Sequence, residues 1–214
     1  MVFHGYFRSS AAYRCRIAFN LKGLQPEFRS VHLRRGGGEQ KIPTYRGLNP
    51  QALVPSLQVD GAVLTQSLAI IEWLDETIPV SPLLPSDPMA RAQARAFAQI
   101  IACDIHPLQN LRVLNYLKAE LEQPQEALDN WCRRWIYDGL AACEALLARS
   151  ATETTFAFGN TPGIADICLV PQLFSADRFG VDLTAMPKLR TIRVACEALP
   201  AFHNAHPSRQ PDSE

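Results

Sequence analysis

The rhythm of apolar and polar residues changes along this chain, and each change predicts a different element. Residues 2–6 form a short apolar-aromatic run (Val2, Phe3, Tyr6) that predicts a strand. Tyr13, Ile17 and Leu21 then recur every fourth residue, which predicts a helix over 10–22 with Gly23 as its stop. Ser9 and Ser10 precede that helix, and a serine hydroxyl caps a helix start by accepting an orphan backbone N–H. Its positive N-terminal end would attract anions. Residues 27–33 alternate polar and apolar, the pattern of a half-exposed strand. Apolar runs at 54–59 and 62–64 flank Asp60-Gly61, a strong hairpin signal. Ile70, Ile71, Trp73, Leu74 and Ile78 give the next helix a broad apolar face, with Ser67 as its expected N-cap and Pro79 as its stop.

Strand–helix–strand, helix, then strand–strand–helix predicts a small mixed sheet flanked by helices. Gly36, Gly37 and Gly38, beside Arg34 and Arg35, predict a mobile loop; the Gly and Lys spacing of a phosphate loop is absent. Pro79, Pro82, Pro85 and Pro88 crowd residues 79–88 into a stiff linker. Beyond it the period becomes helical. Asp87-Pro88 reads as a cap followed by a first-turn proline. A long helical pattern runs to about Leu121, with a kink or break at Pro107. Others cover 124–149, a stretch from near Gly163 carrying Ile164, Ile167, Cys168 and Val170, and 187–199. From His206 the tail is expected to fray. The expected organisation is an α/β domain over 1–79, a linker over 80–88 and an all-α domain over 89–214.

Composition narrows the function classes. The chain has 214 residues, 47% of them hydrophobic, enough to bury a sizeable core. Lys+Arg and Asp+Glu each number 21, so no global attraction to nucleic acid or an anionic membrane is expected. No apolar run approaches the roughly 20 residues that span a bilayer, and arginines interrupt the N-terminus where a secretory signal would be apolar. A cytoplasmic location is the simplest expectation. Cys15, Cys103, Cys132, Cys143, Cys168 and Cys196 include no C-x-x-C pair, which argues against a zinc site or dithiol centre and for packing of all of them.

Arg8-Ser9-Ser10 followed by Arg14-x-Arg16-Ile17-Ala18 closely resembles the N-terminal signature of zeta-class glutathione transferases, the maleylacetoacetate and maleylpyruvate isomerases. Leu48-Asn49-Pro50, Val54-Pro55, residues 66–72, residues 107–110, Ala176-Asp177-Arg178-Phe179 and Val181-Asp182-Leu183 extend the likeness over nearly the whole chain. The resemblance implies a thioredoxin-like N-terminal domain, an all-helical C-terminal domain, glutathione as cofactor and a homodimer. Two departures stand out. Ala11 occupies the position of the family's usual cysteine, and Gly163 the position where a serine or threonine begins a reciprocal capping arrangement with the residue at 166.

The resemblance also assigns roles. Ser9, with Ser10 assisting, would stabilise the glutathione thiolate, which is otherwise mostly protonated because a free thiol titrates near roughly 8.5. Tyr6, the residue type used by other transferase classes, is read here as strand packing. Val54, before a cis Pro55, would pair with the cysteinyl segment like an added strand. Gln66 and Ser67 would meet the γ-glutamyl end, and Gln40 the glycyl end. His106, Asn110 and Arg112 would contact glutathione, and Arg8, Arg112 and Arg178 would gather in one cleft to bind the carboxylates of a dicarboxylate substrate. The implied reaction is thiolate addition to a conjugated cis alkene, rotation about the new single bond and elimination to the trans isomer, with glutathione regenerated. Maleylacetoacetate and maleylpyruvate are both implied substrates. General glutathione conjugation or dehalogenation of small acids, and a non-catalytic glutathione-binding role, are the alternatives.

Overall fold

In the computed structural model, which describes residues 1–149 and 153–214, the element order is β1 (Val2–Gly5), α1 (Ser10–Leu21), β2 (Glu27–Ser30), α2 (Pro43–Leu48), β3 (Ser56–Val59), β4 (Ala62–Thr65) and α3 (Ser67–Thr77). Then follow α4 (Pro88–Gln99), α5 (Leu111–Ala119), α6 (Gln125–Ala148), α7 (Ile164–Phe179), α8 (Pro187–Glu197) and α9 (Pro200–Ala205). The chain forms two compact units. One comprises Met1–Leu83 with Ala198–Glu214, the other Leu84–Glu197. This differs from the expected division at the C-terminus, because residues 198–214 pack with the sheet rather than with the helical unit.

The first unit is built on a sheet of order β2-β1-β3-β4. β1 runs parallel to β2 and antiparallel to β3, and β3 pairs antiparallel with β4. The hairpin turn sits at Asp60-Gly61 as the sequence predicts, with φ of +47° and +80°. Phe3 on β1 packs edge-on against Phe19 of α1, and Tyr13, Ile17, Leu57, Ile70, Ile71 and Leu74 complete the buried core. The Lys22 ammonium, with its side chain fully buried, ties the end of α1 to the end of α3. It pairs with Asp75 at 2.8 Å and donates to the carbonyls of Ile78 and Val80.

Three local expectations give way to side-chain chemistry. β2 stops at Ser30 although the alternation continues, because the His32 ring nitrogen Nδ1 accepts the N–H groups of Arg34 and Arg35 and turns the chain. The triple glycine is not without regular structure. Residues 35–37 and 39–41 form short 3-10 turns, and Glu39 accepts the His32 N–H at 2.7 Å. The tail does not fray. Asp212 accepts the Phe7 N–H at 3.0 Å and the Ser30 hydroxyl at 2.8 Å, while Glu214 meets His32 and Arg35.

In the second unit, Asp87 caps α4 by accepting the Ala90 N–H, with Pro88 as its first residue. The break expected at Pro107 begins earlier. A π-helical turn at residues 100–105 leads into a 3-10 turn at 106–109. Gly139 of α6 admits this π turn, since a β-carbon there would clash with the Ile105 side chain. α6 buries Leu128, Cys132, Ile136, Leu140, Cys143 and Leu147 along one stripe, and α7 is buried on nearly every face. Cys103 is exposed, against the packing role expected of all the cysteines. Burial pushes the Cys132 thiol up to about 11 and that of Cys143 to about 12, so neither forms a thiolate near neutral pH.

Gly163 is the N-cap of α7, and its N–H donates to Asp166 Oδ2 at 2.8 Å; Asp166 Oδ1 accepts from Ala157 N–H at 2.9 Å. Burial pushes the Asp166 carboxyl up to about 6 against these N–H bonds. The reciprocal half of the cap is missing, because glycine has no hydroxyl to offer the first turn. The Gly163 backbone is extended (φ −133°, ψ −165°), open to any residue. Gly163→Ser is therefore expected to add a few tenths of a kcal/mol, raising the thermal midpoint by about 1 °C. An unchanged or lower midpoint by calorimetry would show that the missing hydroxyl is not a stability cost here.

Candidate functional site

The register of the sheet decides where the candidate residues of the first unit meet. His4 on β1 pairs with Ser56, the first residue of β3, and Ser56 pairs with Thr65, the last of β4. The end of β1, the start of β3 and the end of β4 therefore lie on one edge of the sheet. Arg8, Ser9 and Ser10 follow β1, Val54 and Pro55 precede β3, and Gln66 and Ser67 follow β4. Since α1 and α3 both start there, two helix N-termini open at this edge.

Ser9 is the N-cap of α1. Its hydroxyl accepts the Ala12 N–H at 3.2 Å, while its carbonyl accepts the Tyr13 N–H at 2.8 Å. A hydroxyl that accepts from its own helix keeps its single proton to donate outward. Ser10 is the first helical residue and is buried. Arg8 is half-buried, its guanidinium 5.6 Å from the Phe7 ring centre. Tyr6 lies beyond the end of β1, packed edge-on against Phe7 and His32. Burial holds its phenol above the usual value, against the opposing charge of Arg8.

The Val54–Pro55 bond is cis, as the resemblance implies. Val54 lies outside the strands, and among the described residues its N–H and C=O have no backbone partner. Gln40 is buried with Nε2 on the Leu33 carbonyl, and its Oε1 has no partner among the described residues. One expectation needs correction. Gln66, not Ser67, is the N-cap of α3, and its side chain does not cap; it bonds Gln51 instead. Gln66 sits at φ +68°, a strained conformation for a residue with a β-carbon, and such strain concentrates at functional sites. Ser67 is the first helical residue, buried, and its hydroxyl accepts from Arg14 Nη1 at 3.2 Å.

The other candidates belong to the second unit. His106 opens the 3-10 turn at 106–109, which Trp131 holds by donating to the Leu108 carbonyl at 2.7 Å. Asn110 is the N-cap of α5, its Oδ1 accepting the Arg112 N–H at 3.0 Å, and Arg112 is exposed in that first turn. Arg178 is exposed in the last turn of α7.

Two further residues matter to the site's edge, and no cap or turn pattern marks them. Arg14 and Arg16 are both buried in the first unit. Arg16 donates to the carbonyls of Ala205 (3.0 Å), Tyr6 (3.5 Å) and Phe7 (2.9 Å). The available signal was their position among Ala12, Tyr13, Cys15, Ile17, Ala18 and Phe19, where a solvated arginine has little exposed face to occupy.

Comparison with known proteins places this architecture. The family model for the N-terminal domain of glutathione S-transferase matches residues 8–77, and that for the C-terminal domain matches residues 112–205. The chain belongs to the glutathione S-transferase family. It is 47% identical to maleylacetoacetate isomerase of Pseudomonas aeruginosa over 214 residues, covering 100% of this chain and 99% of the relative. It is 46% identical to maleylpyruvate isomerase of Ralstonia sp, with both chains covered in full. Among solved glutathione transferases, a holo maleylpyruvate isomerase described as a bacterial zeta-class enzyme superposes with a TM-score of 0.97 at 46% identity over 100% of both chains. Maleylacetoacetate isomerase of Methylobacterium extorquens AM1, with malonate and GSH bound, gives 0.96 at 40% identity, again over 100% of both. The transferase fold expected from sequence, a thioredoxin-like unit and an all-helical unit, is the one observed. Among the described residues no helix is long and apolar enough to cross a membrane.

Proposed function

We propose that this transferase is a glutathione-dependent cis–trans isomerase of a maleyl keto acid, with maleylacetoacetate as the first substrate and maleylpyruvate as the second. The observation that carries the reading is the convergence at one sheet edge of the Ser9-capped end of α1, the unpaired backbone of Val54 and the uncapped end of α3. Full-length likeness to isomerases of both names supports it.

The residues fit glutathione chemically. An extended peptide with two carboxylates and a titratable thiol needs backbone partners, anion sites and a thiolate site. Val54 supplies unpaired N–H and C=O groups, and the N–H groups at the start of α3 are open to an anion without competition from an acidic first-turn residue. Gln40 keeps a buried acceptor in reserve. When bound, glutathione supplies the sulfur nucleophile of the reaction. Ser9 and the N-terminal end of α1 favour its anionic form, Ser9 by donating the proton that capping leaves free. Arg8, beside Ser9, offers a guanidinium to a substrate carboxylate or to the negative charge that develops on a flanking carbonyl. Arg112 and Arg178 are further carboxylate donors, and His106 and Asn110 are neutral hydrogen-bonding partners. The working form is a cytoplasmic homodimer.

The test is absorbance-monitored turnover of maleylacetoacetate and of maleylpyruvate, each with and without glutathione, with sedimentation at the assay concentration. The expected result is a dimer with strictly glutathione-dependent isomerisation, faster on maleylacetoacetate. Glutathione binding without turnover of either acid would overturn the isomerase reading in favour of conjugation or simple binding.

A further inference from the structure

Arg14 is the largest fully buried side chain, 1% exposed, and it carries a full positive charge into the first unit. Among the described residues no carboxylate pairs with it. Nη1 donates to the Ser67 hydroxyl, 3.2 Å away, and Nε and Nη2 are buried with no partner among the described residues. A buried, incompletely bonded guanidinium is costly, and proteins keep such groups only where something offsets the cost.

Its position makes the cost greater in the free protein. The Ser67 end of α3 already carries the positive end of an 11-residue helix. Gln66 provides no side-chain cap, and no acidic residue stands in the first turn. The N–H groups of Ser67, Leu68 and Ala69 precede the first intrahelical donor, Ile70 N–H to Gln66 O. Among the described residues, a cation and an uncapped helix N-terminus thus lie together with no acidic partner to either. A bound carboxylate would relieve both.

The bond to Ser67 also has a direction. Arginine has donors only, so the Ser67 oxygen must accept. That leaves the serine's own proton to donate elsewhere, in line with the free N–H groups of the same helix end. We infer that Arg14 is a positioning residue for carboxylate recognition: it fixes Ser67 as an outward hydrogen-bond donor and adds the charge that an amino-acid carboxylate at the start of α3 neutralises. The inference rests on the reading of glutathione as the ligand and of its γ-glutamyl carboxylate as the group at Ser67.

The experiment is calorimetric titration of the full-length protein with two probes. One is glutathione. The other is its analogue lacking the γ-glutamyl α-carboxylate, γ-aminobutyryl-cysteinyl-glycine. Wild type is expected to prefer glutathione, and Arg14→Met to lose about 10–100-fold of glutathione affinity while binding the analogue as wild type does. Adding Arg14→Met to Ser67→Ala should cost no more than about twofold beyond Ser67→Ala alone, because the two act as a unit. A general packing defect would weaken both probes equally. Should Arg14→Met fail to fold, Arg14→Lys is read by the same ratio of the two affinities, and it should fall between wild type and unity. A ratio unchanged from wild type in the folded variant overturns the role of Arg14. Equal affinity of wild type for both probes, or no binding of glutathione at all, overturns instead the placement of the ligand on which the inference stands.

Discussion

Replacing Ser9 by alanine is expected to lower kcat by about 10²–10³-fold, the loss that follows removal of one preorganised donor from a developing anion. Ser9 also caps α1 through Ala12 N–H, so Ser9→Ala removes the cap as well, at a cost of about 1 kcal/mol in stability. Glycine tolerates the N-cap position at a cost of only a few tenths of a kcal/mol. Ser9→Gly should therefore melt close to wild type yet share the catalytic loss of Ser9→Ala. The readouts are the thermal midpoint, kcat, and the apparent pKa of bound glutathione followed by thiolate absorbance. That pKa should rise in both variants. If Ser9→Gly retains wild-type turnover, Ser9 is a helix cap alone and thiolate stabilisation must come from the helix end and Ser10.

The second large effect is structural. Arg16→Leu is expected to destabilise the protein by about 3 kcal/mol or more, because the carbonyls of Phe7 and Ala205 lose their buried donor and that of Tyr6, which keeps the Ser9 N–H, loses one of two. That is a large share of the roughly 5–15 kcal/mol typical of a folded domain. It corresponds to a fall of about 6–12 °C in the thermal midpoint for a chain of this size. The Arg16 guanidinium stays charged at neutral pH although burial lowers its pKa to about 10. Tyr6 and Phe7 lie directly before Arg8 and Ser9, so the same residue holds the turn that presents the catalytic candidates. Asp212 holds that turn too, through the Phe7 N–H. Arg16→Lys keeps a charge but only one compact donor head, and should fall between. A fall of less than 2 °C in Arg16→Leu would show that water replaces the lost donors and that the clamp contributes little.

The contrast between these two residues shows how far the chain could be read locally. Ser9 was legible because capping is a property of neighbouring residues, a serine followed by a helical period. The Asp60-Gly61 hairpin and the Asp87-Pro88 start of α4 were legible for the same reason: turn and cap chemistry acts across two to four residues. Arg16 was not legible, because its partner Ala205 is 189 residues away. Nor was the fate of the tail, since Asp212 finds its acceptor role 205 residues upstream at Phe7. The early end of β2 and the cap of α3 fell between these cases. There the local pattern was right about the element but could not show that a His32 ring would compete for the next N–H groups, or that Arg14 would claim the Ser67 hydroxyl.

The sequence by itself determined the type and order of the elements, the proline-rich connection between them and the family likeness, because hydrophobic period, turn residues and motif spacing are carried in short stretches of chain. Only the tertiary structure decided which edge of the sheet collects Ser9, Val54 and Ser67, and which arginines are buried beneath it. Those outcomes depend on strand register and on contacts between distant segments, whose free energy is set by packing that no local window contains.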